Sequence, residues 1–248
     1  MRQSLILGSA THVGLVRANN QDSHAILTGT PYPCALILAD GMGGHRRGEL
    51  ASRIAVDYVR ERLEQVLAEH PSGADLKMLL AAIMEKANVK VYLGSLSEQD
   101  SQGMGTTLTV AVLQPGQLLL AHAGDCRAYL LRDGSLSQLT VDHTLVQELV
   151  DAGTLNEDES RSHPRRHVLT RALGLPEYLQ ADVTAWPLEP GDKLLLCSDG
   201  LHGLVAAAEI CSQMQHDLSA DVLADNLVRL ALAAGGDDNV TVLTAYVG

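Results

Sequence analysis

The 248-residue chain, 46% hydrophobic and 19% charged, has the size and composition of one large globular domain with a sizeable aliphatic core. A net charge of −12 sets it against nucleic acid and anionic membranes as partners. An aromatic content of 3% without Phe also removes the stacking platforms that single-stranded nucleic acid requires. Its four cysteines, Cys34, Cys126, Cys197 and Cys211, are far apart and form no CxxC pair, so neither a zinc site nor a disulfide framework is indicated. The N-terminal apolar stretch is too short for a signal peptide. No run approaches the roughly 18 apolar residues of a membrane helix, and a cytoplasmic location is expected.

In chain order, residues 22–29 and 34–39 read as strands joined by the turn Gly29-Thr30-Pro31-Tyr32-Pro33. Ala51, Ile54, Ala55, Tyr58, Val59, Leu63, Val66 and Leu67 recur at helical spacing and predict a helix over 49–70, broken by Pro71-Ser72-Gly73. A second helix is predicted over 74–96, with Leu76, Leu79, Leu80, Ile83, Ala87 and Val91 on one side. From Gly105 the period becomes two, and 106–113, 118–123, 127–132 and 135–139 read as a meander. Its turns are Gln114-Pro115-Gly116-Gln117, Gly124-Asp125 and Asp133-Gly134, Asp-Gly being a strong hairpin signal. A short helix over 144–152 precedes an exposed excursion over 153–168. Strands return at 180–186, 193–198 and 239–247, with helices over 206–215 and 220–234 between the last two. Antiparallel-type strands with helices in two blocks predict an α+β sandwich, one domain over 1–248.

The 34–39 run ends on Asp40-Gly41-Met42-Gly43-Gly44-His45. A strand that stops on an aspartate followed by a glycine-rich turn presents a carboxylate at a sheet edge with no bulky neighbour over it. The device returns at Leu194-Leu195-Leu196-Cys197-Ser198-Asp199-Gly200, and Gly235-Gly236-Asp237-Asp238-Asn239 opens the last strand. Singly, each Asp-Gly is an ordinary turn; together they read as a site for hard divalent cations. Oxygen-only donors favour Mg²⁺ or Mn²⁺ over Zn²⁺. Two such ions roughly 3.5–4 Å apart can share one carboxylate, a role open to Asp40, with the Gly41 carbonyl unobstructed beside it. Arg17-Ala18-Asn19-Asn20-Gln21-Asp22 adds a further carboxylate and a guanidinium able to hold a phosphate in two-pronged fashion. Alone, Arg17 reads as a surface residue.

These segments recur in order with Gly103-Met104-Gly105-Thr106-Thr107, Ala123-Gly124-Asp125-Cys126-Arg127-Ala128-Tyr129, Asp142-His143-Thr144, Leu169-Thr170-Arg171-Ala172-Leu173-Gly174, Ser198-Asp199-Gly200-Leu201 and Asp238-Asn239-Val240-Thr241. Through them, nearly the whole chain resembles the metal-dependent type 2C (PPM) family of protein serine/threonine phosphatases, in its compact bacterial form. The resemblance implies two central antiparallel sheets packed as a sandwich, flanked by helices on both sides, with a small flap over about 147–168. It implies Mn²⁺ or Mg²⁺ as cofactor, two core ions, and a third in bacterial relatives. By the same resemblance, Asp40, Asp199 and Asp238 hold the first ion, and Asp40 with the Gly41 carbonyl holds the second. Asp125 and Asp199 correspond to the third. Asp22 would orient the attacking water and Arg17 would grip the substrate phosphate. His45 is the candidate acid for the leaving group, a metal-bound water being the other.

The implied reaction is direct attack of a metal-bridging hydroxide on phosphoserine or phosphothreonine in proteins, with no covalent phosphoenzyme, opposing a separate bacterial serine/threonine kinase. Met42 stands where animal relatives carry histidine. Cys126 stands where relatives commonly have serine, and reads as a small inert residue or a redox-sensitive one. His143 is expected to help cap the helix that follows it and not to ligate a metal. In the flap, Arg161, Arg165 and Arg166 with His163 and His167 read either as an attractor of acidic phosphoprotein segments or as a solvated loop. Two other functions compete. A catalytically silent phosphoprotein-binding relative is disfavoured because Asp22, Asp40, Asp125, Asp199 and Asp238 are all present. A two-metal nuclease is disfavoured by the acidic charge and the lack of a basic, aromatic groove.

Overall fold

Successive residues of a strand face opposite sides of its sheet, and here that alternation builds four layers. The computed structural model describes residues 4–29, 33–43, 46–69, 71–97, 103–175 and 178–248. Strands β1 (Leu5–His12), β2 (Asp22–Thr28) and β3 (Cys34–Met42) lead into helices α1 (Arg46–Ala68) and α2 (Gly73–Ser97). Then come β4 (Gly105–Thr106), β5 (Leu108–Gln114), β6 (Gln117–Ala123), β7 (Arg127–Arg132) and β8 (Ser135–Gln138). Helices α3 (Leu145–Asp151) and α4 (Glu157–Ser162) precede β9 (Asp182–Pro187) and β10 (Lys193–Cys197). The chain closes with α5 (Asp199–His202), α6 (Ala207–Gln215), α7 (Ala220–Ala233) and β11 (Val240–Val247).

One sheet has the order β1-β11-β10-β7-β8; the other runs β2-β3-β5-β6-β9, with β4 paired to the end of β3. Neighbouring strands pair antiparallel throughout. In β3, Ala35, Ile37 and Ala39 face α1 and α2, where Ala55, Val59, Leu63, Leu80 and Met84 are buried. The alternate residues Cys34, Leu36 and Leu38 fill the space between the sheets with Leu194, Leu196 and Leu243. Beyond the second sheet, Leu195, Cys197 and Val242 meet Ile210, Met214, Leu223 and Leu227 of α6 and α7. The outcome is the expected α+β sandwich with a helical layer outside each sheet.

Two sequence expectations need correction, the meander and the place of Leu79, and β1 and α4 are elements outside those expectations. Strand β1 is not legible as a strand, because Leu5-Ile6-Leu7 continues as Gly8-Ser9-Ala10-Thr11-His12, and pairing with β11 is what extends it. The 106–139 stretch is not one meander: β5 and β6 belong to one sheet, β7 and β8 to the other. The Gly124-Asp125 turn is therefore a crossover between sheets, and Gly124 takes φ +118 there, a value glycine alone adopts at low cost. Leu79 lies at the solvent edge of α2, 37% exposed, because Leu76, Leu80, Ile83, Ala87 and Val91 already complete the buried stripe. The excursion carries α4, whose start is a capping box: Asn156 Oδ1 accepts from Glu159 N, and Glu159 Oε2 accepts from Asn156 N. The Asp133-Gly134 hairpin matches its signal, with φ +50 and +76. Among the described residues no helix is long and apolar enough to cross a membrane.

Candidate active site

Antiparallel pairing puts the end of one strand beside the start of the next, and this brings the sequence-distant acids to one end of the sandwich. Asp22, opening β2, is directly opposite Asp40 near the end of β3. The 124–126 crossover follows β6, and Cys197 at the end of β10 pairs with Arg127 on one side and Val242 on the other. Asp125, Asp199 and Asp238 therefore flank the same end.

The supports around these acids are hydroxyls and amides. Asp22 Oδ2 accepts from Ser198 Oγ (2.8 Å) and Thr241 Oγ1 (2.7 Å). Ser198 Oγ in turn accepts from Thr241 N at 2.9 Å, so one serine joins β10, β11 and β2. Thr107 pins Asp40: its Oγ1 accepts from Asp40 N and its N–H donates to Asp40 O, both at 2.8 Å. Thr106 Oγ1 donates to the same carbonyl at 2.9 Å. Gly41 is pressed between chains, since a Cβ there would lie 2.0 Å from Gly48 O and 2.7 Å from Gln21 O. Asn239 gathers the N-terminal loop, donating Nδ2 to Val13 O (2.8 Å) and Asn19 O (2.9 Å) while Oδ1 accepts from Gln21 N. That loop carries Arg17, whose guanidinium donates to Asp238 Oδ2 at 2.6 Å.

Burial dominates the electrostatics. It raises Asp22 to about 7, against the opposing hydrogen bonds from Thr241 and Ser198, with Asp199 and Asp238 adding repulsion. Asp40 lies well above the carboxylate range, first through burial and then through the charges of Asp22, Asp199, Asp125 and Asp238. Asp125 is raised by burial, then by Asp199 and Asp142. Burial pushes Asp199 upward too, but His167, His202 and the Asp40 carboxyl outweigh it, so that its value falls. Mutual influence of this size means that the acids share one electrostatic environment.

A cavity of about 340 Å³ opens beside Asp125 and Asp199, walled by Arg161, Arg166 and His167 of the excursion and by Val205 beyond α5. His167 Nδ1 stands 3.8 Å from Asp199 Oδ2. His202 donates Nε2–H to Asp125 O at 2.9 Å. Arg127 grips Asp142 through Nε and NH2, at 2.9 and 2.7 Å to Oδ1 and Oδ2.

Hard divalent ions fit this donor set. Asp22 Oδ1 and Asp199 Oδ1 are buried without a hydrogen-bond partner, which is costly unless a cation, or a water held by one, takes the lone pairs. Among the described residues, no three carboxylate, imidazole or thiol groups stand together at the spacing of a finished metal cage; Asp238 is turned onto Arg17. Asp22, Asp40, Asp125 and Asp199 are brought together and Arg17 joins Asp238 at the rim, while His45 lies outside the described residues. Thr107, Ser198, Asn239 and Thr241 lie within the sequence motifs but have no expected task there. The signal was there, as each small polar residue sits beside or opposite an acid at a strand end. The helix cap expected of His143 with its neighbours is supplied by the neighbour Thr144, whose side chain accepts from Gln147 N.

The sequence profile described as protein phosphatase 2C matches residues 13–233. The chain belongs to the protein phosphatase 2C family. A Listeria welshimeri relative, serine/threonine phosphatase stp, is 36% identical over 233 residues, spanning 94% of this chain and 92% of the relative. The S. agalactiae serine/threonine phosphatase superposes with a TM-score of 0.92 at 33% identity, covering 98% of this chain and 100% of the other. The catalytic domain of the serine/threonine protein phosphatase PstP, solved in complex with two manganese ions, gives a TM-score of 0.84 at 39% identity over 99% of each chain. As a phosphatase 2C, the chain is a serine/threonine protein phosphatase and so a phosphoric monoester hydrolase.

Proposed function

We propose that this phosphatase removes phosphate from phosphoserine and phosphothreonine in cytoplasmic proteins, reversing a bacterial serine/threonine kinase, as a single catalytic domain over 1–248 with the 147–168 segment as its flap. Asp40, Asp199 and Asp238 hold one Mn²⁺ or Mg²⁺ ion, Asp40 and the Gly41 carbonyl a second, and Asp125 with Asp199 a third. Bound ions supply an activated water at neutral pH and neutralise charge on the phosphoryl oxygens. The observation that carries this reading is the buried acid cluster, in which Asp22 Oδ1 and Asp199 Oδ1 find no protein partner.

The remaining work falls to side chains. Arg17 stands at the rim, 51% exposed, where a two-pronged guanidinium can hold the substrate's phosphoryl oxygens. Asp22 is fixed by two hydroxyls through Oδ2, which leaves Oδ1 to orient the attacking water and accept a proton. The leaving seryl or threonyl oxygen needs a proton, and His45 is the proposed donor. Thr106 and Thr107 keep the Asp40 backbone from shifting as charge develops.

The test is hydrolysis of an aryl phosphate and a phosphothreonine peptide. Manganese restores it after chelation, and Asp40→Asn and Asp238→Asn each remove most of it in folded protein. A folded, manganese-loaded sample that cleaves neither compound would replace this reading with phosphoprotein binding without catalysis. Comparison of phosphoproteomes with and without the active enzyme identifies the opposing kinase's targets.

A further inference from the structure

His143 is 6% exposed and has no role in the reaction as described. Its ring nevertheless spans two parts of the site. Gly124 N–H donates to His143 Nδ1 at 3.1 Å, and His143 N–H donates to Gly124 O at 2.7 Å. The Gly124-Asp125 crossover is thus clamped on both backbone groups by one residue. An Nδ1 that accepts requires the proton on Nε2, and Nε2 lies 3.1 Å from Asp182 Oδ2. Asp182 Oδ1 in turn accepts from Arg171 NH1 at 3.0 Å. The ring stacks on His122 with centroids 4.9 Å apart, and His122 Nδ1 contacts Thr109 Oγ1 at 2.9 Å. Burial holds both rings below their ordinary value, His122 at about 4, in keeping with a neutral pair. From the other side, Thr170 N–H donates to His143 O and Leu145 N–H donates to Val168 O, so the C-terminal base of the excursion is tied to the same residue.

We infer that His143 is a positioning residue: through Nδ1 it fixes the Gly124 amide and so aims Asp125, and through its backbone it joins that turn to the base of the excursion. The inference rests on the proposed role of Asp125 as a metal ligand. Gly124 cannot be stiffened by a side chain of its own. A Cβ there would lie 2.5 Å from the Thr107 side chain, and its φ of +118 disfavours other residues. An external acceptor for the Gly124 amide, beside the His143 N–H that holds its carbonyl, fixes the turn from outside.

The two ring nitrogens can be separated by substitution. In His143→Asn the side-chain oxygen takes the place of Nδ1 and the contact to Asp182 is lost. In His143→Gln the amide reaches the place of Nε2 and the Gly124 acceptor is lost. His143→Ala removes both. Amide exchange at Gly124 is measured in chelator-treated protein, and Mn²⁺ binding is followed by calorimetry, with Asp125→Asn as reference. Exchange at Gly124 should rise about fivefold or more in His143→Ala and His143→Gln, as expected for one lost hydrogen bond, and stay near the parent in His143→Asn. The weakest Mn²⁺ step should lose about tenfold or more in the first two variants and little in the third. Parent-like exchange in His143→Gln, or exchange in His143→Asn as fast as in His143→Gln, overturns the inference even if His143→Ala fails to fold. Unchanged Mn²⁺ binding in Asp125→Asn would instead remove Asp125 from the metal ligands, and the exchange result would still decide the role of His143.

Discussion

Asp22→Asn should stabilise the metal-free protein at pH 8 while impairing the enzyme. The carboxylate accepts two hydroxyl hydrogen bonds on Oδ2, which an asparagine oxygen can also accept. Its Oδ1 is buried without a partner, and its neighbours in the cluster are acids. Burial raises it from 3.8 to about 7. An acid with a raised folded value contributes full stability below its unfolded value and loses it as pH rises through the folded one, so the loss falls between about pH 4 and 7. At ~1.4 kcal/mol per pH unit the ceiling is ~4 kcal/mol; sharing the proton load with Asp40 brings the expectation to ~1–2 kcal/mol. For a chain of this length that is a gain of about 2–8 °C in the melting midpoint of Asp22→Asn. Calorimetric melts of chelator-treated protein from pH 4.5 to 8.5 should show the gap widening with pH. With manganese added, the order should reverse. A variant that melts below the parent at pH 8 without metal, or a gap independent of pH, refutes the argument that repulsion and burial govern this residue.

Arg17→Ala should raise KM for a phosphopeptide by about tenfold or more, as for loss of a charge-assisted pair; manganese half-saturation, read from the same assays, should move far less because Asp238 only loses a competitor. Equal loss in both would remove Arg17 from phosphate binding. Gly41→Ala must displace the Gly48 carbonyl that its Cβ would meet at 2.0 Å, costing about 1–3 kcal/mol as overpacking, seen as a lower denaturation midpoint with or without metal. Arg132→Ala serves as a stability control far from the site. It strips the 1%-exposed Asp192 of its two-pronged partner, costing about 2–3 kcal/mol once the solvent-facing guanidinium is discounted, while kcat per folded molecule stays unchanged.

What the sequence could reveal was whatever depended on near neighbours along the chain. The Asp-Gly strand ends, the period-two runs and the stripe on α1 each express a local rule, and each appears in the structure. The chemistry of Asp40 and Asp199 could be read from the same stretches, because an apolar run ending on an acid is itself local. The Arg17–Asp238 pair joins residues 221 positions apart, and Thr241 reaches Asp22 across 219; no periodicity encodes such contacts. Strand β1 fails for the same reason, being a strand through its partner β11. Helix α5 has four residues, too few to show a period, and it depends on Gly200, where a Cβ would lie 2.0 Å from Asn239 O. His143 was legible as part of a motif but not as a clamp, because its partners Gly124 and Asp182 come from different parts of the fold.

The preference for hard ions at this end of the sandwich follows from hydrogen-bond accounting as much as from the aspartates themselves. Two imidazoles, those of His143 and His202, touch the Gly124-Asp125 turn, and a nitrogen donor there would draw softer metals such as zinc. Both have other partners: His202 Nε2 is bound to the Asp125 carbonyl, and His143 holds Gly124 and Asp182. The nearby hydroxyls of Ser198, Thr241 and Thr107 are also engaged, with Asp22 and with backbone amides. Among the described residues the buried atoms left without a partner are Asp22 Oδ1, Asp199 Oδ1, His122 Nε2 and the Tyr246 hydroxyl; the two in the acid cluster are carboxylate oxygens, which favours oxygen-seeking ions there. Freeing either imidazole should therefore soften the site's metal preference, whereas adding a further carboxylate would deepen the repulsion that already holds Asp40 above its ordinary range.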